Sequence, residues 1–247
     1  MENSRRQFLQ SIVKLMAGPS MIPLAQAGDV LETKHKGVRY GMVVDLRRCV
    51  GCQACTVGCS FENATPLEQF RTTVDQVEVT ENAKTAFLML PRLCNHCEHP
   101  ACIPVCPTGA TFQLEDGVVV VDNDWCVGCG YCVEACPYDA RFINKETNTA
   151  DKCTFCHHRL EKGLLPACVE TCVGGARVIG DIHDPNSEAS KLIRQFHDRI
   201  RVLRPEEGTD PCVFYIGLDE AFEEKIYGEP TVYGAINADG KELPHAD

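Results

Sequence analysis

The chain has 247 residues, seventeen of them cysteine, and a formal net charge of −11. That acidic balance excludes a surface built to hold nucleic acid or an anionic membrane, both of which need clustered lysine and arginine. The length allows one large domain or two modest ones, and it exceeds that of small folds held together by disulfides alone.

The first 27 residues read as an address label. "SRRQFLQ" (Ser4 to Gln10) sets Arg5 and Arg6 ahead of Phe8 and Leu9, which looks like a twin-arginine export signal. The apolar stretch from Ile12 to Ala25 is interrupted by Lys14, Gly18, Pro19 and Pro23, too short and broken for a comfortable transmembrane helix. "AQA" (Ala25 to Ala27) then supplies a small-x-small cleavage pattern. An unstructured basic terminus and an uncleaved anchor are the competing readings. The twin-arginine route carries proteins already folded, often with a metal cofactor inserted, so the leader favours cofactor ligation over disulfides for the cysteines downstream.

Four cysteine groups then repeat along the chain, with short structured segments between them. The first is Cys49, Cys52, Cys55 and Cys59. "TTVDQVEV" (72–79) and "TAFLMLP" (85–91) read as arms of a hairpin. Group two is Cys94, Cys97, Cys102 and Cys106, after which "ATFQL" and "VVVVD" flank Asp116-Gly117, a strong turn signal. Group three is Cys126, Cys129, Cys132 and Cys136, followed by "DARFIN" and "TADKC", which pair around "KETN". Group four is Cys153, Cys156, Cys168 and Cys172, stretched between its second and third members. "GARVIGDI" reads as a strand. Asp184-Pro185 suits a helix N-cap and first position, and the helix would carry Leu192, Ile193, Phe196 and Ile200 on one face. "CVFYIGL" (212–218) is a last buried strand, and the polar tail from Glu220 gives no signal. Long apolar segments are lacking, which predicts a thin hydrophobic core completed by inorganic clusters, and an apo chain that folds poorly.

Every group ends in Cys-x3-Cys, about one helical turn. In groups one and three the preceding two-residue gaps form a tight loop that aims three sulfurs at one small object. This run is the known signature of two-cluster ferredoxins, in which the fourth cysteine reaches the neighbouring cluster. Structural zinc uses separated C-x2-C knuckles, and cysteines two apart in a tight loop pair awkwardly as disulfides. Sixteen cysteines in four groups therefore predict four [4Fe–4S] clusters, arranged in pairs. No nucleophile–base constellation and no phosphate-cradling loop accompanies them, so the chain is expected to be non-catalytic wiring. Cys212 reads as a buried small hydrophobe, and His96, His99, His157 and His158 as groups around the clusters or on the surface. Trp125 is expected to pack over a cluster, with Arg47, Arg48, Lys152 and Arg159 offsetting cluster charge.

The four groups in this order, the fourth stretched, resemble the electron-transfer subunits that partner molybdopterin enzymes of the dimethyl sulfoxide reductase family. The resemblance covers roughly residues 40 to 219 and implies an α+β fold of two ferredoxin-like halves, one nested within the other. The outer half would comprise 40–90 with 150–180 (groups one and four) and the inner half 91–149 (groups two and three), followed by a helix, strand and tail over 181–247. The resemblance further implies four ligand sets: Cys49, Cys52, Cys55 and Cys172; Cys153, Cys156, Cys168 and Cys59; Cys94, Cys97, Cys102 and Cys136; Cys126, Cys129, Cys132 and Cys106. It implies a molybdopterin catalytic subunit and a quinol-oxidising integral membrane subunit as partners, on the periplasmic face of the membrane. "MVVDLRRCVGCQACTVGC", "CVGCGYCVEACPYDARFIN", "CVETCVGGARVIGDI" and "VFYIGLD" are most similar to the subgroup that serves tetrathionate reduction to thiosulfate. Polysulfide, thiosulfate, arsenate or dimethyl sulfoxide reductase complexes, or a free-standing polyferredoxin, are the alternatives.

Overall fold

The computed structural model describes residues 37–218, apart from 82 and 83. The stretch expected to be an export leader (1–27) and the tail from Glu220 lie outside the described residues. Among the described residues no helix is long and apolar enough to cross a membrane.

Strand β1 (Tyr40–Asp45) was not anticipated from the sequence. Only Met42, Val43 and Val44 mark it, and all three are buried, so the polar–apolar alternation of a half-exposed strand is missing. It leads through a 3-10 turn (Leu46–Arg48) into the first cysteine group. Helix α1 (Ala54–Asn63) carries the end of that group. The long hairpin β2 (Thr72–Glu81) and β3 (Lys84–Leu93) follows as expected, in register from Thr72 opposite Leu93. Two short hairpins come next: β4 (Thr111–Gln113) with β5 (Val119–Val121), and β6 (Arg141–Ile143) with β7 (Ala150–Lys152). Both match the sequence expectation. Between them lies the one-turn helix α2 (Tyr131–Glu134). The fourth group is framed by α3 (His157–Leu160) and α4 (Ala167–Glu170).

Strands β8 (Arg177–Asp181), β9 (Ile200–Arg201) and β10 (Val213–Ile216) complete a four-stranded sheet in the order β8-β1-β10-β9. Its topology positions the cysteines. β1 enters group one and β8 leaves group four, and the two pair antiparallel with Val44 opposite Arg177. Cys49 and Cys172, separated by most of the cysteine-bearing chain, are thereby brought to one end of the sheet. β10 lies beside β1 in parallel, Met42 opposite Val213.

The expected helix after group four exists, but its start is different. Helix α5 spans Glu188–Gln195 and is capped by Ser187, whose Oγ accepts from the amide of Ser190 at 3.1 Å. Asp184 spends its carboxylate on the amide of Asn186 at 2.8 Å, a turn before the helix. Leu192, Ile193, Phe196 and Ile200 do pack together against Val43, Ala189 and Ile216. Ile200, however, reaches that cluster from β9, because the helix ends before Phe196. The sheet thus has an ordinary apolar core, with Met42, Val44, Val213 and Tyr215 wholly buried. Elsewhere the main core is partly thiol, and Cys55, Cys94, Cys97, Cys153 and Cys168 stand beside Leu90, Leu93 and Phe155. Trp125 is a further correction: it is 66% exposed, turned largely to solvent instead of lying over a cysteine site.

Candidate iron–sulfur sites

Each cysteine group opens on the same backbone device. The residue just before the second cysteine is left-handed in all four: Gly51 (φ +67), His96 (φ +44), Gly128 (φ +66) and Phe155 (φ +50). One left-handed residue between two thiols curls the loop so that both sulfurs point to its inside. Space constrains the glycines of groups one and three as well, by a flexible side chain at Gly51 and by backbone at Gly128. A Cβ at Gly51 would sit 2.7 Å from Met89 Sδ, and one at Gly128 2.2 Å from the carbonyl of Asn148. Groups two and four place large side chains there, at a cost of roughly 1–2 kcal/mol each. His96 and Phe155 offset it by packing on one another, ring centroids 3.8 Å apart, both wholly buried. His96 Nδ1 also accepts from the amide of Val119 at 3.0 Å. The imidazole is therefore neutral, and burial holds its pKa well below the usual range.

Downstream, the Cys-x3-Cys segments are helical in three groups: Cys55 and Cys59 on α1, Cys132 on α2 and Cys168 on α4. The matching stretch of group two, around Cys102 and Cys106, is a run of turns.

Three cavities are lined by four cysteines apiece. Cys49, Cys52, Cys55 and Cys172 line one, with Arg48, Gln53 and Arg177 in its wall. Cys94, Cys97, Cys102 and Cys136 line a second, with Asn95 and Arg141. Cys106, Cys126, Cys129 and Cys132 line a third, with Thr108 and Thr111. The remaining four cluster together as well. Asn63 Nδ2 lies 3.5 Å from Cys59 Sγ and 3.8 Å from Cys156 Sγ. Cys59 and Cys168 act electrostatically on Cys153, and Cys168 and Cys156 on Cys59. Each grouping takes three thiols from one segment and the last from another.

The chemistry of these walls, four thiols from two segments with no carboxylate in the lining, fits a metal–sulfur cluster. Among the described residues no three His, Cys, Asp or Glu side chains close on a point as a one-metal site requires. Burial pushes the Cys59 and Cys97 thiols up to about 12 and Cys102 to about 11, so in the bare chain they hold their protons. Ligation must displace those protons, which couples folding to metal. Cys106 goes the other way, to about 7: slight burial pushes it up, but the amides of Thr111, Thr108 and Ala110 and the Thr108 hydroxyl pull it further down. Amides also donate to Cys126 (from Ala150, 3.3 Å), Cys153 (from Phe155, 3.3 Å) and Cys172 (from Ala176, 3.2 Å). Such N–H to sulfur bonds are a recognised means of tuning cluster potential.

Buried polar atoms point the same way. Asn95 Nδ2 and Arg177 Nη1, each in the wall of a cysteine cavity, have no hydrogen-bond partner in the protein. Buried donors without acceptors are costly, and bound sulfide or thiolate would satisfy both. Arg177, Arg141 and Lys152 are 2%, 3% and 1% exposed. The thiols of Cys168, Cys55 and Cys153 act on Arg177, joined by the hydroxyl of Tyr215. Those of Cys102, Cys94 and Cys132 act on Arg141, and those of Cys94, Cys153 and Cys102 on Lys152. Buried cations of this kind demand anions nearby.

Of the cations expected from sequence to balance cluster charge, Lys152 is buried among the cysteines and Arg48 lines a cavity. Arg47 pairs with Asp45 at 2.8 Å, and Arg159 with Glu62 at 2.7 Å and with Glu170, so these two serve carboxylates. Arg141 and Arg177 were missed. A signal for them exists, since both stand five residues after the last cysteine of a group, as "CPYDAR" and "CVGGAR". His96 is buried beside the cysteines, while His157 and His158 pair with Asp116 and Glu62, each at 2.8 Å. Cys212 is buried as expected, but it has a polar role: its Sγ accepts from the buried guanidinium of Arg39 at 2.9 Å.

Comparison with known proteins agrees with these walls. Residues 85–182 match the family model of the 4Fe-4S dicluster domain. The chain is 60% identical to a tetrathionate reductase subunit of Salmonella typhimurium, over 96% of this chain and 98% of that protein. It is 40% identical to a putative dimethyl sulfoxide reductase iron-sulfur subunit of Halobacterium salinarum (72% of this chain, 78% of that one). It is also 36% identical to an arsenate respiratory reductase iron-sulfur subunit of a Shewanella species (79% and 100%). Thiol-lined cavities, buried cations without carboxylate partners and these relatives lead to one conclusion: the chain belongs to the family of iron–sulfur electron-transfer subunits that includes the one in Salmonella tetrathionate reductase.

Proposed function

We propose that this chain holds four [4Fe–4S] clusters in a row and conducts electrons through them from a quinol-oxidising membrane subunit to a molybdopterin subunit that reduces tetrathionate to thiosulfate. The observation that carries the reading is the convergence of cysteines from distant groups, such as Cys172 with Cys49, Cys52 and Cys55, on shared cavities. The ligand sets are Cys49, Cys52, Cys55 and Cys172; Cys153, Cys156, Cys168 and Cys59; Cys94, Cys97, Cys102 and Cys136; Cys126, Cys129, Cys132 and Cys106. Groups one and four form an outer ferredoxin-like half over 40–90 and 150–180, groups two and three an inner half over 91–149, and 181–247 completes the sheet and supplies a tail. The export leader directs the folded chain to the periplasm, where it sits on the membrane subunit.

Bound clusters supply one-electron storage and transfer. The chain does the rest: its cysteines bind, its packed walls exclude water, and its amides and cations set the local field. Cys52 and Cys129 are the exposed cysteines of groups one and three. Val50 and Val173 are exposed around the former, and Val127 and Tyr131 around the latter. These two ends suit partner contacts.

The test is iron and acid-labile sulfide per chain, with quinol-driven turnover of the whole complex on different oxyanions. The wild-type chain should hold about sixteen iron atoms, and tetrathionate should support the fastest turnover. Cys129→Ala should lose or convert one cluster and block quinol-driven reduction. Full quinol-driven activity in that variant would refute the conduit.

A further inference from the structure

We propose that Arg177, Lys152 and Arg141 are shared counter-charges, one at each of the three gaps in the row of four clusters. The inference rests on the ligand sets proposed above. Arg177 stands at the first gap. It lines the cavity of Cys49, Cys52, Cys55 and Cys172, yet the thiol acting on it most strongly is Cys168 of the next set. Arg141 stands at the last gap. It lines the cavity of Cys94, Cys97, Cys102 and Cys136, and its Nη2 lies 3.0 Å from Cys102 Sγ. Cys132 of the neighbouring set also acts on it electrostatically. Lys152 stands between the halves, where Val119 lines the cavity of Cys94, Cys97, Cys102 and Cys136, and Cys153 belongs to the set of the other half. Its Nζ is held by the carbonyls of Val119 and Cys153.

Two features set these cations apart from ordinary buried charges. Arg141 and Lys152 are direct partners across the β6–β7 hairpin. Like charges in that position repel, and burial sharpens the repulsion, so anions must hold them there. Arg141 and Arg177 also repeat one another. Each follows the last cysteine of its group by five residues, and each gives a second guanidinium nitrogen to a threonine hydroxyl, Thr111 at 3.3 Å and Thr72 at 2.9 Å. The two cysteine repeats that close a gap within a half carry an arginine, and the gap joining the halves is filled by a lysine from a hairpin.

A fixed positive charge favours the more negative, reduced state of any redox centre it faces. Placed between two centres, it raises both potentials and weakens the repulsion between reduced neighbours. The arginines keep their charge at any working pH.

The experiment uses the full chain in its complex: Arg177→Gln, Lys152→Met and Arg141→Gln, each beside a charge-keeping variant (Arg177→Lys, Lys152→Arg, Arg141→Lys). Potentials are read by electron paramagnetic resonance during redox titration, with each signal assigned by one cysteine-to-serine variant per set. Each neutral variant should lower the potentials of the two clusters flanking its gap and leave the other two in place. Arg177→Gln and Arg141→Gln should therefore affect disjoint pairs, and Lys152→Met one cluster from each. Charge-keeping variants should match the wild type. A neutral variant that sheds iron from the two flanking sets alone, while its charge-keeping counterpart retains it, supports the same sharing. Unmoved potentials, a shift in one cluster only, a uniform shift of all four, or equal damage from the charge-keeping variants would overturn it. A wild-type chain with its full iron and variants with unmoved signals defeats this inference alone; a wild type well short of that iron defeats the ligand sets, and the inference with them.

Discussion

Replacing Gly128 by alanine separates backbone strain from steric exclusion, because Gly130 two residues later provides the control. Both glycines are left-handed, with φ of +66 and +80. Any Cβ there costs about 1–2 kcal/mol. At Gly130 nothing lies within 4 Å of the added carbon, so that is the whole cost. At Gly128 the carbon would stand 2.2 Å from the carbonyl oxygen of Asn148, a backbone atom in the β6–β7 turn that cannot swing away. Forcing the turn aside adds about 1–3 kcal/mol on the scale of overpacked cores. Gly128→Ala should thus be more damaging than Gly130→Ala by that second amount, roughly a factor of 5 to 160 in the folded-to-unfolded ratio. The assay is anaerobic guanidinium titration of the loaded chain followed by visible absorption of the clusters, with iron counted beforehand. Gly128→Ala should lower the midpoint clearly and lose iron from the site of Cys106, Cys126, Cys129 and Cys132, while Gly130→Ala keeps its iron and shows only the smaller backbone cost. Equal midpoints and equal iron in the two variants would show that the close approach to Asn148 does not govern the loop.

Cys212→Ala should leave iron content unchanged but cost about 1–2 kcal/mol, since the buried Arg39 guanidinium loses one acceptor and keeps Glu98 and the carbonyl of His96; lost iron would instead make Cys212 a ligand. Phe155→Gly relieves a left-handed phenylalanine but empties its place against His96, and the lost burial, about 3 kcal/mol or more, outweighs the relief. A more stable variant by the same guanidinium titration would contradict that balance. Asn63→Ala removes a donor shared by Cys59 and Cys156 and should lower the potential of a single cluster, read by redox titration. Stripping iron with a chelator should return Cys59, Cys97 and Cys102 to protonated thiols and cost the chain its cooperative unfolding transition, because these side chains form much of the core outside the sheet. A chelated chain with an unchanged transition would refute that coupling.

The cysteine spacing determined the chemistry without help. Intervals of three, three and four residues are a local property, set by one tight loop and one helical turn, and the Asp116-Gly117 and "KETN" hairpins are local in the same way. Contacts between residues distant in sequence stayed hidden from the spacing itself, and the crossed cysteine sets came only from the family resemblance. β1 was invisible because both its faces are buried and its pattern lacks alternation. Trp125 looked like a packing residue, but its composition could not say that its surroundings are solvent. The helix start slid from Asp184 to Ser187 because two good capping residues compete within four positions, and the geometry of the turn chose between them. Arg141 and Arg177 were legible only once the repeat was extended five residues past each last cysteine.

The sequence by itself therefore showed sixteen thiols arranged in four groups, since the spacing within each group is a property of one continuous segment. Only the tertiary structure showed thiols from distant segments lining shared cavities, with Arg141 and Arg177 in their walls. Those pairings depend on β1 meeting β8. Such long-range closures follow from packing of the whole chain, and no local interval encodes them.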